Sequence, residues 1–307
     1  MSKPYFVRVW ACSLSAILFC AFSVFAPTPA SASDAPPQVS VSSPQKQSYD
    51  PQSVLQQLAT ADVVYLGETH DRADDHRVQL EIIQALHRLN PNLAIAMEMF
   101  QRPYQSALNR YLAGTITESQ LKELTEYETR WGFPWEYYAP ILRFAKENRL
   151  PVIALNAPTE ITRKVSRSGL ESLTLADRRF IPPMSEIRAE PDAYRDRMRL
   201  IYQEIHHGKG NSSQFDRFFL AQILWDETMA DRISQFLRAN PKTNVVVLAG
   251  QGHIVYGDGI PNRVARRMQR TQRGSLLQSL ILLNPPQEMT VKSDRPIADY
   301  FWNVQSP

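Results

Sequence analysis

Two stretches of the sequence carry a histidine directly behind an apolar run. Residues 63–70 read Val-Val-Tyr-Leu-Gly-Glu-Thr-His, and residues 245–253 read Val-Val-Val-Leu-Ala-Gly-Gln-Gly-His. Short apolar runs rich in β-branched residues are typical of buried strands. Ligands of open α/β sheets bind outside the carboxyl ends of the parallel strands. We therefore predict that Glu68, His70 and His253 line one cleft.

Glu98 brings a second carboxylate to the same predicted cleft. It follows another apolar run, residues 93–97, and Asn156 follows a further one, residues 151–155. A single histidine behind a strand most often only completes a hydrogen bond, but three coincident strand ends favour a functional site. Imidazole and carboxylate groups bind divalent metal ions or act as general bases towards water. The set that either chemistry would use is Glu68, His70, Glu98 and His253.

Strands and helices alternate along the chain, and this order predicts how the cleft is built. The predicted strands are continuous apolar runs, which is typical of a parallel sheet covered on both faces by helices. A fifth run occupies residues 276–283. We predict an α/β fold with a mostly parallel sheet of about five strands flanked by helices, near the usual sheet size. Two helical insertions, at about residues 99–150 and 158–240, are predicted to form a helical cap subdomain.

The N-terminus has the three parts of a secretory signal peptide. Lys3 and Arg8 give a positive start, residues 9–25 are apolar, and Ala-Ser-Ala at residues 30–32 is a typical cleavage site. Export to the periplasm or an equivalent space is therefore predicted, with membrane association only through an uncleaved leader. The predicted division of the chain is a signal peptide at 1–32, a flexible linker at 33–48, the main domain at 49–290 and a C-terminal tail at 291–307.

Charge and cysteine content exclude several classes of function. The sequence has 34 Lys and Arg against 31 Asp and Glu, and two of the cations, Lys3 and Arg8, lie in the leader. A nucleic-acid binder normally carries a basic surface, so no nucleic-acid partner is predicted for this near-neutral chain. Both cysteines, Cys12 and Cys20, also lie in the leader. The exported chain then has no thiol for a disulfide, a thiolate metal ligand or a nucleophile.

Three tyrosines are further candidates for ligand binding. Tyr256 follows His253 by three residues on the same predicted loop. A purely structural role, in which the tyrosine bonds to the backbone, explains its presence there equally well. Tyr137 and Tyr138 neighbour tryptophans that would suit a flat apolar ligand. Aromatic residues at this density nevertheless more often form a core.

Two charged pairs are expected to have structural roles. Asp226 and Glu227 lie in the middle of an amphipathic helix predicted at residues 215–239, where we expect a solvated face. His206 and His207 lie at a predicted helix end, where imidazolium complements the helix dipole. Neither pair is assigned to the cleft.

Several motifs together resemble a known family. They are Leu-Gly-Glu-Thr-His at 66–70, Ala-Met-Glu-Met-Phe at 96–100, Trp-Asp-Glu-Thr-Met-Ala at 225–230, Ala-Gly-Gln-Gly-His at 249–253, Tyr-Gly at 256–257 and Gly-Ile-Pro at 259–261. In this combination the chain resembles the ChaN-like haem-binding proteins, which are grouped with the Tiki, TraB and erythromycin esterase proteins. The resemblance implies export and a role in haem or iron uptake. It also implies non-covalent ferric haem held cofacially in a homodimer through a tyrosine ligand, with His or Lys of the partner subunit at the propionates.

The resemblance does not say which tyrosine of this chain is the haem ligand. A phenolate is a hard anionic donor that suits ferric iron. Tyr256 is the first candidate because it shares a glycine-rich loop with His253, and Tyr137 and Tyr138 are the second. His70 and His253 are predicted as further haem contacts.

Two other functions stay open at this point. In related branches of the superfamily the same motifs look like parts of a metal-dependent hydrolase, either an esterase or a protease. The catalytic and divalent-metal residues would then be Glu68, His70, Glu98 and His253. The third possibility is an exported scaffold without a small ligand.

Overall fold

The computed structural model describes residues 38–189, 191–205, 212–269, 275–286 and 295–305. The predicted signal peptide and the His206-His207 pair lie outside these residues. The strands are β1 (Gln38–Ser42), β2 (Ser48–Tyr49), β3 (Val63–Glu68), β4 (Leu93–Gln101), β5 (Val152–Asn156), β6 (Asn244–Gly250), β7 (Gln278–Leu283) and β8 (Tyr300–Gln305). The α-helices are α1 (Pro51–Leu58), α2 (Ala73–Leu89), α3 (Gln105–Leu112), α4 (Glu118–Leu124), α5 (Tyr127–Arg130), α6 (Trp135–Glu147), α7 (Thr159–Ser168), α8 (Asp192–Ile205), α9 (Ser212–Ala239) and α10 (Ile260–Met268).

The strands form one mostly parallel sheet in the order β2-β1-β8-β7-β3-β6-β4-β5. The pairs from β8 through β5 are parallel, and β1 is antiparallel to both β2 and β8. The register of β3 on β6 places Glu68 opposite Gly250. Both strands therefore end at the same edge of the sheet. The predicted mostly parallel α/β fold is confirmed, and the five predicted strands correspond to β3 through β7.

The sheet has eight strands where about five were predicted, and the extra ones lie near the two ends of the chain. The predicted flexible linker at 33–48 contains β1, and the predicted tail at 291–307 contains β8. The expectation of a flexible linker is therefore wrong over residues 38–42, and the predicted tail contributes residues 300–305 to the sheet. In β1 only Val41 is fully buried, so the strand lacks an apolar run. It pairs with β8, which lies far away in the sequence, and the composition of β1 does not predict this pairing.

Both faces of the sheet are covered, as its apolar strands require. Along β3, Val64 and Leu66 point into a core shared with α1, α2, α3 and α6, whereas Val63 and Tyr65 point into a core shared with α9 and α10. Because successive side chains of a strand face opposite sides, both faces need apolar residues. The continuous apolar run of β3 follows from this double coverage.

The two predicted helical insertions differ in how they pack. The first contributes α3, α4 and α6 to the main core, through buried residues that include Leu108, Leu121 and Leu142. The second forms two smaller clusters, one where α8 meets the start of α9 and one beside α7, while the later part of α9 packs on the other face of the sheet. None of the described helices combines the length and the apolar character that a membrane span needs.

Candidate functional site

The structure brings Glu68, His70, Glu98 and His253 together at the carboxyl edge of the sheet. All four are nearly buried, with exposed fractions of 2%, 7%, 3% and 5%. The group has two halves, Glu68 with His70 and Glu98 with His253, and Gly250 lies between them. Its backbone N–H donates to Glu98 Oε2 over 2.8 Å. A β-carbon at Gly250 would lie 2.9 Å from His70 Nε2 and 3.8 Å from the same Glu98 oxygen. The absence of a side chain at this strand end lets the halves approach each other.

Glu68 is the centre of the first half. Its carboxylate accepts hydrogen bonds from Tyr138 Oη at 2.6 Å and Gln79 Nε2 at 2.6 Å, and its Oε1 lies 2.7 Å from His70 Nδ1. His76 Nδ1 lies 3.7 Å from Oε2. Burial alone would raise the pKa of Glu68, but the hydrogen bond from His70 and the charges of both imidazoles outweigh it and lower this pKa. Glu68 is therefore a buried carboxylate satisfied by three donors.

His70 is held in the same network. Burial works to lower the pKa of His70, but the hydrogen bond to Glu68 and the charge of Glu98 outweigh it and raise this pKa. The backbone carbonyl of His70 lies 3.1 Å from His76 Nε2. The imidazole is thus fixed by its carboxylate, and its backbone is fixed by α2.

His253 is the centre of the second half. Its Nδ1 lies 2.6 Å from Asp226 Oδ1, and its Nε2 lies 3.5 Å from Glu98 Oε1. Burial would lower the pKa of His253, but the charges of Glu98 and Asp226 raise it to about 10. Burial would raise the pKa of Glu98, yet the charge of His253 lowers it to about 2. At neutral pH the three groups are an imidazolium between two carboxylates.

This arrangement does not support the predicted divalent-metal site. Within the described part of the chain, no group of three or more His, Cys, Asp and Glu side chains is placed to hold a metal ion. A histidine binds a metal through the lone pair of a neutral ring nitrogen. Both ring nitrogens of His253 face carboxylates instead, and Glu68 is committed to three donors. The four predicted ligands pair with one another and their neighbours.

Aromatic side chains surround this polar group. The ring centroids of Trp131 and Phe133 lie 4.8 and 5.1 Å from that of His70, and Trp225 lies 6.4 Å from His253. All three aromatic residues are half-buried. Ligand sites typically combine such apolar and aromatic walls with a few fixed polar groups. We call Trp131, Phe133 and Trp225 the aromatic rim.

The three candidate tyrosines occupy different environments. Tyr138 is fully buried and donates its hydroxyl to Glu68, and burial together with this carboxylate raises its pKa well above the ordinary value. Tyr137 is half-buried and stacks on His76 at 4.6 Å, with its hydroxyl 3.5 Å from the Asp71 carbonyl. The structure therefore separates the neighbouring pair into one core tyrosine and one at the surface.

Tyr256 lies in a tight turn between β6 and α10. Its backbone has φ 59° and ψ 4°, the left-handed region that bulky residues rarely adopt. The turn is held by hydrogen bonds from the Tyr256 amide to the Ile297 carbonyl, 2.7 Å, and from Arg295 to the Tyr256 carbonyl, 2.6 Å. The ring is half-buried, and the guanidinium of Arg197 lies 4.8 Å from its centroid. Strained residues of this kind concentrate at binding sites.

The expectation that Asp226 and Glu227 lie on a solvated face is wrong. Both are fully buried, because α9 is covered by the sheet on one side and by α8 and α10 on others. Asp226 binds His253 and accepts a hydrogen bond from Tyr194 at 2.7 Å. Glu227 accepts from Arg266 at 2.6 Å and from Arg267 at 2.5 Å. The sequence signal for this buried role was the presence of two acidic residues within a largely apolar helix.

Sequence reasoning also missed Gln79 and Tyr194. Gln79 is fully buried and follows His76 by three residues on α2, so both project towards Glu68. Their spacing on the helix that follows the motif was a usable signal. Tyr194 lies in α8, far from the motifs, and nothing local marks it.

A protein-family model described as haem-binding uptake, Tiki superfamily, ChaN matches residues 54–264. Among solved structures, one of cofacial haem binding to ChaN of Campylobacter jejuni superposes with a TM-score of 0.68 at 17% identity, covering 87% of this chain and 97% of that one. At this identity the likeness shows the shared fold. An erythromycin esterase in an open conformation shows a weaker likeness, with a TM-score of 0.46 at 15% identity, covering 88% of this chain and 83% of that one.

A relative is also found among curated proteins. The protein RETICULATA-RELATED 5, chloroplastic, of Arabidopsis thaliana is 27% identical over 273 residues. The match covers 82% of this chain but only 35% of the plant protein. The chain therefore spans about a third of that relative.

Proposed function

The chain belongs to the ChaN family of haem-binding uptake proteins in the Tiki superfamily, and from this premise we propose that it is an exported protein that binds ferric haem. The family match carries the proposal, because it spans the strand-end motifs and the Tyr256 turn. The residues suit such a ligand in two respects. The aromatic rim offers half-buried rings that can pack against a porphyrin. The Tyr256 turn offers a phenol in a fixed position.

We propose Tyr256 as the protein ligand of the iron. Residues 33–307 contain no cysteine, so the ligand has to be Tyr, His or Met. Both ring nitrogens of His253 face carboxylates, and the hydroxyl of Tyr138 is used by Glu68. Tyr256 is half-buried and its turn is anchored at both the amide and the carbonyl. Tyr137 remains the second candidate, since it too is half-buried.

When bound, haem would supply a Lewis-acidic ferric iron to which a phenolate can coordinate. The residues of the chain would bind and orient the haem. The Tyr256 turn would hold the phenol in a fixed orientation, and the half-buried rings of the aromatic rim would pack against the apolar porphyrin. The buried pairs Glu68–His70 and Glu98–His253 stabilise the edge of the sheet from which the turn departs.

Export and assembly belong to the same proposal. The predicted leader supports export to the periplasm or an equivalent space. The Campylobacter ChaN structure is one of cofacial haem binding, and by analogy we propose that two copies of this chain pair when each holds a haem. Measuring molar mass by size-exclusion chromatography with light scattering, before and after haem addition, tests this step.

We do not propose hydrolysis for this site. A general base has to hold a free lone pair near the operating pH. With its pKa near 10 and both nitrogens on carboxylates, His253 stays protonated at neutral pH. His253 therefore cannot be the base of the esterase alternative, and Glu68, another of its predicted catalytic residues, already pairs with three donors.

A haemin titration of the exported chain tests the haem proposal. The absorbance of wild type is compared with that of Tyr256→Phe, Tyr137→Phe and Tyr138→Phe. We expect the tyrosinate charge-transfer band in wild type, Tyr137→Phe and Tyr138→Phe, and its loss in Tyr256→Phe alone. Loss in Tyr137→Phe alone would move the ligand to α6, and a wild type without any haem spectrum would reject the proposal.

A further inference from the structure

Leu175 is the most exposed large apolar side chain among the described residues, with 83% of its surface accessible. It lies between α7 and α8, and Ala176 beside it is exposed as well. Two residues earlier, Leu173 is buried in the cluster beside α7. The chain therefore turns outward after Leu173 and projects Leu175 from the surface. A single exposed leucine is common, so its meaning depends on its surroundings.

The turn that carries Leu175 is held in shape by its own side chains. Asp177 Oδ2 accepts hydrogen bonds from the backbone amide and from the hydroxyl of Thr174, both over 2.8 Å. Thr174 Oγ1 accepts in return from the Asp177 amide over 3.3 Å. Lys164 on α7 donates to the same Asp177 oxygen over 2.8 Å and ties the turn to that helix. Leu175 is therefore presented from a fixed turn next to α7.

Four exposed arginines lie close to this turn. Arg178 and Arg179 follow Asp177 directly, and Arg163 and Arg167 lie on α7. Residues four apart share a helix face, so the two arginines of α7 point the same way. None of the four forms an ion pair within the described part of the chain.

The acidic residues of the segment do not balance these arginines. Residues 163–179 contain five basic side chains against Glu171 and Asp177, and Asp177 is already paired with Lys164. Just before them, Glu160 pairs with Arg130 over 2.8 Å. The segment therefore carries a net positive charge around an apolar tip. We call Leu175 with Arg163, Arg167, Arg178 and Arg179 the basic tip.

We propose that the basic tip binds the surface of an anionic lipid membrane. Leu175 would enter the boundary between headgroups and acyl chains, where an apolar side chain leaves water. The arginines would lie at the level of the lipid phosphates, which a guanidinium binds through two parallel hydrogen bonds. Basic residues beside a membrane are attracted by the negative potential of its anionic lipids.

A membrane fits this surface better than an acidic protein does. A leucine that projects from a convex turn can enter a fluid lipid layer directly, whereas a protein partner would need a preformed pocket for it. The inference does not depend on haem binding. It assigns a membrane contact to the folded domain itself, in addition to any contact made by the leader.

Cosedimentation with lipid vesicles tests this surface. Exported protein whose intact mass lacks the leader is mixed with vesicles of phosphatidylcholine alone, or of phosphatidylcholine with phosphatidylglycerol, and pelleted. We expect wild type to pellet with the anionic vesicles only, and less so at high salt because salt screens exposed charges. Arg178→Gln with Arg179→Gln should weaken binding about fivefold for each arginine removed. Leu175→Ser should weaken it about tenfold, whereas Leu175→Phe, which stays apolar, should bind like wild type.

Arg88→Gln with Leu89→Ser is the matched control. These residues form another exposed basic and apolar pair, at the end of α2, and Leu89 is 50% exposed. The helix α2 packs on the core shared with α1 and α6, on the face of the sheet opposite the later part of α9. This variant should therefore bind anionic vesicles as wild type does.

Three outcomes would overturn the inference. Wild type that stays in solution with phosphatidylglycerol vesicles would do so without any variant. Equal loss of binding in the control and in the variants of the basic tip would assign the effect to overall charge. Binding that Leu175→Ser leaves unchanged while the arginine variant loses it would point to an acidic protein as the partner. All these variants should bind haemin with the spectrum of wild type, so failure here leaves the haem proposal untouched.

Discussion

The carboxylate of Asp226 on α9 lies 2.6 Å from Nδ1 of His253, which follows β6, and both side chains are buried. Because Glu98 faces the other nitrogen of the imidazole, the chain holds one buried cation between two buried anions. Buried charges are tolerated only when they are paired and hydrogen-bonded. The contact therefore fastens α9 to the edge of the sheet that carries the site.

Replacing Asp226 by Asn should strongly destabilise the fold. Removing one partner leaves a buried imidazolium with less compensation, and such changes cost about 3–5 kcal/mol. Urea unfolding followed by circular dichroism measures the difference. Asp216→Asn is the control on the same helix, because Asp216 is 50% exposed and its pair with Arg195 should contribute less than about 1 kcal/mol. Equal effects of the two substitutions would contradict the assigned ion pair.

The pH dependence of stability should show the raised pKa of His253. The folded-state pKa is about 10 against an ordinary value of 6.5, so its contribution is fully present below pH 6.5 and lost as pH rises towards 10. Glu98 acts in the opposite direction. Its pKa of about 2 lies below the ordinary 4.5, so its contribution is lost as pH falls from 4.5 towards 2.

Nitrogen NMR of the imidazole gives a direct measurement of this pKa. The His253 ring should remain protonated at pH 8 in the folded protein, since its pKa is about 10. A His253 ring that titrates near 6.5 would refute the buried ion pair.

Gly250 should not accept a side chain. A β-carbon there would lie 2.9 Å from His70 Nε2, so Gly250→Ala forces the imidazole out of its place. Overpacking of this kind costs about 1–3 kcal/mol. Gly252→Ala is the control, because a β-carbon there meets nothing within 4 Å. If the unfolding free energies of the two variants differ by less than the experimental error, the strand end is not tightly packed.

The hydroxyl of Tyr138 should contribute to stability although it is not proposed as the haem ligand. Tyr138→Phe removes a 2.6 Å hydrogen bond to the buried Glu68, at a cost of about 1–3 kcal/mol. Tyr127→Phe is the matched control, since its buried hydroxyl has no hydrogen-bond partner in the described structure. We expect that control to be neutral or slightly stabilising. Reversed effects would mean that the Glu68 network is wrongly assigned.

The apolar run at 63–66 shows what the sequence determines locally. A strand covered on both faces needs apolar side chains in succession, so β3 through β7 could be recognised from composition alone. Glycine and histidine behind two such runs then located the edge where the site forms. The strand β1 could not be found in this way, because one residue of five is fully buried and its pairing depends on β8.

The role of Asp226 shows what local pattern cannot determine. A mid-helix acidic residue is solvated by default, and only the packing of α8 and α10 over α9 makes this one buried. The same limit applies to the predicted metal ligands. Their positions at the strand ends could be inferred, but the partners that occupy them, Asp226 for His253 and Tyr138 for Glu68, come from distant helices.

Resonance Raman spectroscopy of the haemin complex, excited in its charge-transfer band, tests the central claim most directly. The method detects the vibrations of a phenolate bound to ferric iron. Wild type should show these modes, and Tyr256→Phe should lose them while Tyr137→Phe and Tyr138→Phe keep them. A haem complex of wild type without phenolate modes, or one whose modes persist in Tyr256→Phe, would contradict the assignment of Tyr256 as the iron ligand.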